Sequence, residues 1–73
     1  MKYYKITENN ITYDIREYLD YKCCLLNGKL HRENGPACEY ASGNKEYWYN
    51  GKFLENIGSD EELKRYIKLL SIY

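Results

Sequence analysis

Short apolar and aromatic runs, each closed by a turn signal, fill the first two thirds of the chain. Residues 2–7 and 11–16 flank Glu8-Asn9-Asn10, a hairpin signal. In the second run Ile11, Tyr13 and Ile15 alternate with Thr12, Asp14 and Arg16, the period of a half-buried strand. Ile11, Ile15, Tyr18 and Leu19 also fit one helical face, so a helix over 11–20 stands as the alternative to the favoured strand. Farther on, Asn27-Gly28, Asn34-Gly35-Pro36, Ser42-Gly43-Asn44 and Asn50-Gly51 punctuate the middle of the chain. Asn-Gly suits a type I′ turn because both central residues need positive φ. The runs between these turns, 21–26, 29–31, 37–41, 45–49 and 52–54, predict the strands of a β-meander.

The end of the chain has a different period. Ser59-Asp60-Glu61-Glu62 is a capping box, and Leu63, Tyr66, Ile67 and Leu70 follow at i, i+3, i+4 and i+7. Acidic residues precede Lys64, Arg65 and Lys68, in agreement with the helix dipole. A helix over 60–71 is predicted, its charged side solvated and its apolar stripe laid over one face of the sheet, since a single-layer sheet cannot protect a core. Ile72 and Tyr73 either pack or leave a small exposed patch. The expected class is α+β: an antiparallel meander of short hairpins covered by one C-terminal amphipathic helix.

Composition narrows the function. Seventy-three residues make one domain, divided into an N-terminal hairpin (1–20), hairpin repeats (21–58) and the terminal helix (59–73). Ordering a chain costs about 1.5 kcal/mol per residue, which a core this small barely offsets. Little is left for a substrate cleft, so a non-enzymatic role is expected. Eleven basic and eleven acidic side chains balance to a formal charge of zero, removing the long-range attraction that favours nucleic-acid or membrane partners. Tyr occurs ten times while Val and Gln are absent, and Lys, Asn, Ile and Tyr, all with AT-rich codons, make up 31 of 73 residues. Tyr therefore serves as a strand former in place of Val. The longest uncharged apolar stretch, Cys23-Cys24-Leu25-Leu26, is too short for a signal peptide or a membrane span. Three cysteines, two of them adjacent, do not make a secreted disulfide framework, which predicts a reducing cytoplasm.

Asn27-Gly28-Lys29-Leu30 recurs as Asn50-Gly51-Lys52-Phe53 at an offset of 23 residues, with Leu25-Leu26 mapping onto Trp48-Tyr49 and Gly35 onto Gly58. A fixed period in the low twenties indicates stacked supersecondary units, each hairpin turning its corner at the same place. The stretch Leu26-Asn27-Gly28-Lys29-Leu30-His31-Arg32-Glu33-Asn34-Gly35-Pro36-Ala37 strongly resembles the "nGklHRedGPA" signature of a MORN-like repeat variant found in small bacteriophage and large-virus proteins. Ser42 to Lys52 resembles its "G-x-x-x-W-Y-x-N-G-K" segment with the Trp displaced by one. The resemblance covers about residues 21–54. The second copy has Leu54-Glu55-Asn56-Ile57 where His-Arg would recur, so only about one and a half units are present. As motif positions the resemblance implies Asn27, Gly28, Lys29, His31, Arg32, Gly35, Pro36, Asn50 and Gly51.

The remaining chemistry is sparse. His31-Arg32-Glu33 could supply an acid–base group and an anion anchor, but as part of a repeat-defining motif it is expected to lock the Glu33-Asn34-Gly35-Pro36 turn by hydrogen-bonding its carbonyls. Cys23, Cys24, His31 and Cys38 are possible zinc ligands, yet adjacent cysteines on a strand face opposite sides, and only three of the four could converge. The thiols are expected to act as small hydrophobes; no metal, cofactor or catalytic residue is assigned. Tyr40, Tyr47, Trp48, Tyr49 and Phe53 lie on neighbouring strands, where alternate members build core and the rest face solvent. They are the candidate partner-binding residues, with the face of Tyr47 and Tyr49, or an open sheet edge, as the surface. The resemblance implies a small phage-encoded protein that binds and inhibits or modulates a host or defence protein, such as a CRISPR-type nuclease, in the host cytoplasm. The alternative is a nucleic-acid-binding accessory protein stacking bases on exposed aromatics. A homodimer through an edge strand is a further expectation for so small a core.

Overall fold

A computed structural model of the chain describes residues 1–72. Its elements are β1 (Lys2–Glu8), β2 (Ile11–Glu17), β3 (Tyr21–Leu26), β4 (Lys29–Leu30), β5 (Cys38–Tyr40), β6 (Lys45–Glu46), β7 (Trp48–Tyr49), β8 (Lys52–Phe53) and α1 (Asp60–Leu70). All strand pairs are antiparallel: the molecule is an α+β meander with one C-terminal helix. Ile11–Glu17 is a strand. Its alternation is realised in burial, with Tyr13 and Ile15 buried and Thr12, Asp14 and Arg16 exposed, while Tyr18 and Leu19 fall in the following loop.

The larger sheet runs β1-β2-β3-β5-β6. Beyond β3 the edge is shared end to end. β5 pairs with Tyr21 to Cys23 and β4 with Leu25 and Leu26. Cys24 sits at the changeover, donating its N–H to Ala37 O at 2.7 Å and accepting from His31 N–H at 3.2 Å. Residues 31–37 loop out between β4 and β5 and lie over the inner face of the sheet, where Tyr13, Ile15 and Cys24 form a buried cluster flanked by Ile6, Ile11 and Leu26.

Both repeated corners are built alike. Asn27 and Gly28 have φ of 53° and 80°, and Asn50 and Gly51 have 49° and 83°, so each Asn-Gly is a left-handed pair as a type I′ turn requires. Leu25↔Leu30 and Leu26↔Lys29 are matched by Trp48↔Phe53 and Tyr49↔Lys52 at the same offset. The second hairpin stacks against β4: Gly51 N–H reaches Leu30 O at 2.8 Å, and Arg32 N–H reaches Trp48 O at 3.3 Å. Gly35 lacks this geometry and is absent from the positive-φ residues. Pro36 restricts the residue before it to extended backbone, so Asn34-Gly35 is part of the loop and not a hairpin corner.

Two expectations need correction. The run 45–49 is not one strand: β6 pairs with β5 while β7 pairs with β8, and Tyr47 between them turns into a second core. Nor does the helix cover the large sheet. It covers the β7–β8 hairpin, where Tyr47, Leu54 and Leu63 are buried together with Tyr49, Ile57, Tyr66 and Ile67 around them. The short connection 54–59 folds α1 back onto the hairpin it follows, and the large sheet's inner face is covered by the 31–37 loop.

The helix begins as its sequence requires. Ser59 Oγ accepts from Glu62 N–H at 3.2 Å, and Glu62 Oε1 reaches back to Gly58 N–H at 3.2 Å. Its apolar stripe is shorter than the periodicity implies, because Leu70 is exposed along with Leu69 and Ile72. Tyr73 lies outside the described residues. Among the described residues no helix is long and apolar enough to cross a membrane.

Leu63→Ala removes the one fully buried helix side chain and should cost about 3 kcal/mol in urea unfolding, whereas Leu70→Ala should stay within about 0.5 kcal/mol of wild type. Equal losses from both substitutions would place the helix on its stripe differently from the packing described.

Candidate functional site

The His31-Arg32-Glu33 segment is consumed by the fold. His31 is 1% exposed. Its Nδ1 accepts the Asn50 backbone N–H at 2.9 Å, which leaves the ring proton on Nε2 to be donated to Glu33 Oε2 at 3.0 Å. The ring lies between Tyr13 and Tyr49, with centroids 6.3 and 4.6 Å away. Glu33 N–H in turn meets Tyr13 Oη at 3.3 Å. His31 therefore joins the two clusters and has no nitrogen free for substrate or metal. Cys24 faces the inner cluster while Cys23 and Cys38 face the other way, so the four candidate zinc ligands do not converge.

Arg32 behaves similarly. Nε and Nη2 grip the two Glu8 oxygens at 3.0 and 2.7 Å, and Nη1 donates to Pro36 O at 3.3 Å with Glu39 at 3.5 Å. Its guanidinium lies against Gly35, 3.6 Å from where a Cβ on that residue would stand. From the sequence, His31 and Arg32 are both expected to bind turn carbonyls. Arg32 binds one, but the stronger partner is Glu8 on β1, a contact 24 residues distant in the chain. Hydrogen bonds from Arg32, opposed in part by burial, hold the Glu8 carboxyl below its ordinary value.

The aromatic candidates divide. Tyr47 is buried at 3% exposure and donates its hydroxyl to Asp60 Oδ1 at 2.8 Å; burial and that bond push its hydroxyl up to about 12. Tyr49 packs between His31 and Tyr66, whose centroids are 4.6 and 6.1 Å away. Both point to the second core, so the face of Tyr47 and Tyr49 is an interior face and not the binding surface anticipated for it. Tyr40, Trp48 and Phe53 lie on the opposite side. Trp48 Nε1–H and Tyr40 Oη–H both donate to Glu46 Oε1, at 3.2 and 3.1 Å, and Trp48 packs on Phe53 at 5.3 Å. Burial and the Glu46 bond push the Tyr40 hydroxyl up to about 12, so it stays a neutral donor.

This strip continues into residues that are not among the partner-binding candidates read from the sequence. Tyr21 is opposite Tyr40 with centroids 5.7 Å apart, and Tyr18 stacks on Tyr21 at 4.7 Å. Leu19, at the tip of the loop beside them, is 97% exposed. The available signal was Leu19 itself, an apolar residue between two tyrosines that the strand period does not absorb. On the same outer face, alternation and register place Tyr3, Lys5, Asp14, Arg16 and Leu25 around an open hollow of about 600 Å³, with Lys5 and Asp14 paired at 3.0 Å. At one edge of this sheet lies β1, seven residues long and mostly exposed. The corner residues Asn27, Gly28, Lys29, Asn50 and Gly51 position the two hairpins; the Lys29 stem lies 3.7 Å from where a Gly51 Cβ would stand.

No family model, no curated protein and no solved structure matches the chain.

The Glu8–Arg32 pair generates a pH dependence. A carboxyl whose folded value is depressed stabilises the fold fully above its unfolded value and loses that contribution as pH falls through the folded one. Acid unfolding followed by circular dichroism should therefore show stability falling from about pH 4.5 downwards, and Glu8→Gln should flatten that fall while lowering stability at pH 7 by about 2 kcal/mol. An unchanged acid limb in Glu8→Gln would remove the pair from the account.

Proposed function

We propose that the chain is a non-enzymatic protein-interaction module whose contact surface is the outer aromatic face, centred on Tyr21, Tyr40, Trp48 and Phe53 with Leu19 at its rim. The observation that carries this reading is the run of packed rings from Tyr18 through Tyr21 to Tyr40 and, across Glu46, to Trp48 and Phe53. Tyr and Trp are the side chains most enriched in the energetic centres of protein interfaces. Here their rotamers are fixed before binding, because one Glu46 oxygen holds both Tyr40 and Trp48, which lowers the ordering entropy that association must offset. The zero formal charge fits a contact read by shape and aromatic surface more than by long-range attraction.

Two further considerations favour this reading over catalysis and nucleic-acid binding. His31, Arg32 and Glu33, the densest polar cluster, spend their hydrogen bonds within the fold. On the outer face Lys5 is paired with Asp14, which leaves Arg16 as the other cation around the hollow, short of the cationic track that accompanies the rings of single-strand binders. The resemblance of residues 26–37 to MORN-like repeats of phage proteins supports the narrower form of the proposal. In that form the chain is phage-encoded and inhibits or modulates a host or defence protein, such as a CRISPR-type nuclease, in the host cytoplasm.

The test is capture from host lysate on immobilised wild-type chain and on the folded double variant Tyr21→Ser/Phe53→Ser, at low and at high salt. One protein should be retained at both salt concentrations and lost by about tenfold or more in the double variant. Retention that ignores the double substitution, or that consists of nucleic acid and falls steeply with salt, would overturn the proposal.

A further inference from the structure

β3 and β5 set Cys23 directly opposite Cys38, and the two sulfurs are 2.9 Å apart. The flanking hydrogen bonds identify the kind of pair. Cys24 N–H donates to Ala37 O and Ala41 N–H to Asp20 O, each at 2.7 Å. Bonded pairs alternate along an antiparallel ladder, so 20/41 and 24/37 are bonded positions and 23/38 is a non-bonded one. Such pairs hold their Cα atoms about 4.5 Å apart with side chains projecting together, inside the range of about 4.4–6.8 Å that a disulfide spans. Cys23 is half-buried and Cys38 is buried at 2% exposure. Cys24, in contrast, points through the sheet to the inner cluster, where its register partner on β2 is Ile15.

We propose that Cys23 and Cys38 form a dithiol site for thiol–disulfide exchange with small-molecule disulfides of the glutathione type, closing to an intrachain Cys23–Cys38 bridge. Cys23 is the point of entry, since its sulfur is the more accessible of the two. Its thiolate attacks one sulfur of the incoming disulfide, forming a mixed disulfide and releasing one small thiolate. Cys38 Sγ then attacks Cys23 Sγ, and the second small thiolate leaves. The two protons given up by the protein thiols end on the two released thiols, so the protein loses two electrons and the small disulfide gains them. The bridge closes the segment 24–37 at its base and ties the strands on either side of the loop that carries His31 and Arg32. Burial and the Cys23 contact push the Cys38 thiol well above its ordinary value. Cys38 therefore attacks through a small thiolate fraction, so closure quickens as pH rises, and for the same reason Cys38 is a poor leaving group when the bridge is reduced.

The experiment treats the native full chain with oxidised glutathione and counts free thiols after denaturation. The count should fall from three to one per chain, the mass should drop by two hydrogen atoms, and the urea midpoint should rise and return on reduction with dithiothreitol. In Cys24→Ala the count should fall from two to none, while Cys23→Ser and Cys38→Ser should each block the bridge. A persistent glutathione adduct at Cys23, chains linked to one another, a bridge that maps to Cys24, or thiols that all remain free would overturn the proposal.

Discussion

Two clusters of three buried residues each lie in the interior of this small protein, and the His31 imidazole lies between them and joins them. On one side Tyr13, Ile15 and Cys24 are buried on the inner face of the sheet; on the other Tyr47, Leu54 and Leu63 are buried beneath the helix. The His31 ring fills the space between them, touching Tyr13 and Tyr49, and both of its nitrogens are bonded within the chain. A buried polar side chain is tolerable only when satisfied, because an unpaired donor or acceptor there costs about 1–3 kcal/mol. His31 meets that condition by binding the corner of the second hairpin through Asn50 N–H. The same bond that satisfies it thereby sets where the repeat stacks.

Much of the rest follows from that placement. With His31 fixed, Arg32 is directed back over the sheet to Glu8, and Glu33 reaches Tyr13 Oη. The 31–37 loop becomes the lid of the first cluster, and the helix is left to cover the second. The tyrosines are divided by the same geometry: Tyr13, Tyr47 and Tyr49 serve the interior, while Tyr21 and Tyr40 are left on the outer face with Trp48 and Phe53. A chain lacking Val uses Tyr for both tasks. The hydroxyl of Tyr47 is satisfied by Asp60 inside, and that of Tyr40 is held by Glu46 outside.

Local features were legible in the sequence because they are set by neighbours in the chain. Asn27-Gly28 and Asn50-Gly51 turn as their φ preferences dictate, Tyr13 and Ile15 alternate into the core, and Ser59 caps the helix with Glu62. Features set by register or by distant contacts were not legible. Nothing near Tyr47 says that the chain changes sheets there. The stripe through Leu63 and Ile67 does not say which layer it will meet. Cys23 and Cys38 look unrelated until β3 and β5 are placed in register. The outer aromatic face was legible only in part: Tyr40, Trp48 and Phe53 were among the candidates, but alternation alone left the face of Tyr47 and Tyr49 as the expected surface, and Tyr21 and Leu19 join the outer set only through pairing across the sheet and the loop at its end.

The central claim is that His31 couples two small cores into one cooperative unit, and native-state hydrogen exchange on His31→Ala tests it most directly. In the wild type the amides of Tyr13 and Ile15 and those of Leu54 and Leu63 should open together, with closely similar protection. In His31→Ala the Leu54 and Leu63 amides should lose protection far more than those of Tyr13 and Ile15, because the hairpin and helix then unfold separately from the sheet. Equal loss of protection at all four positions would contradict the claim and show that the two clusters are joined without His31.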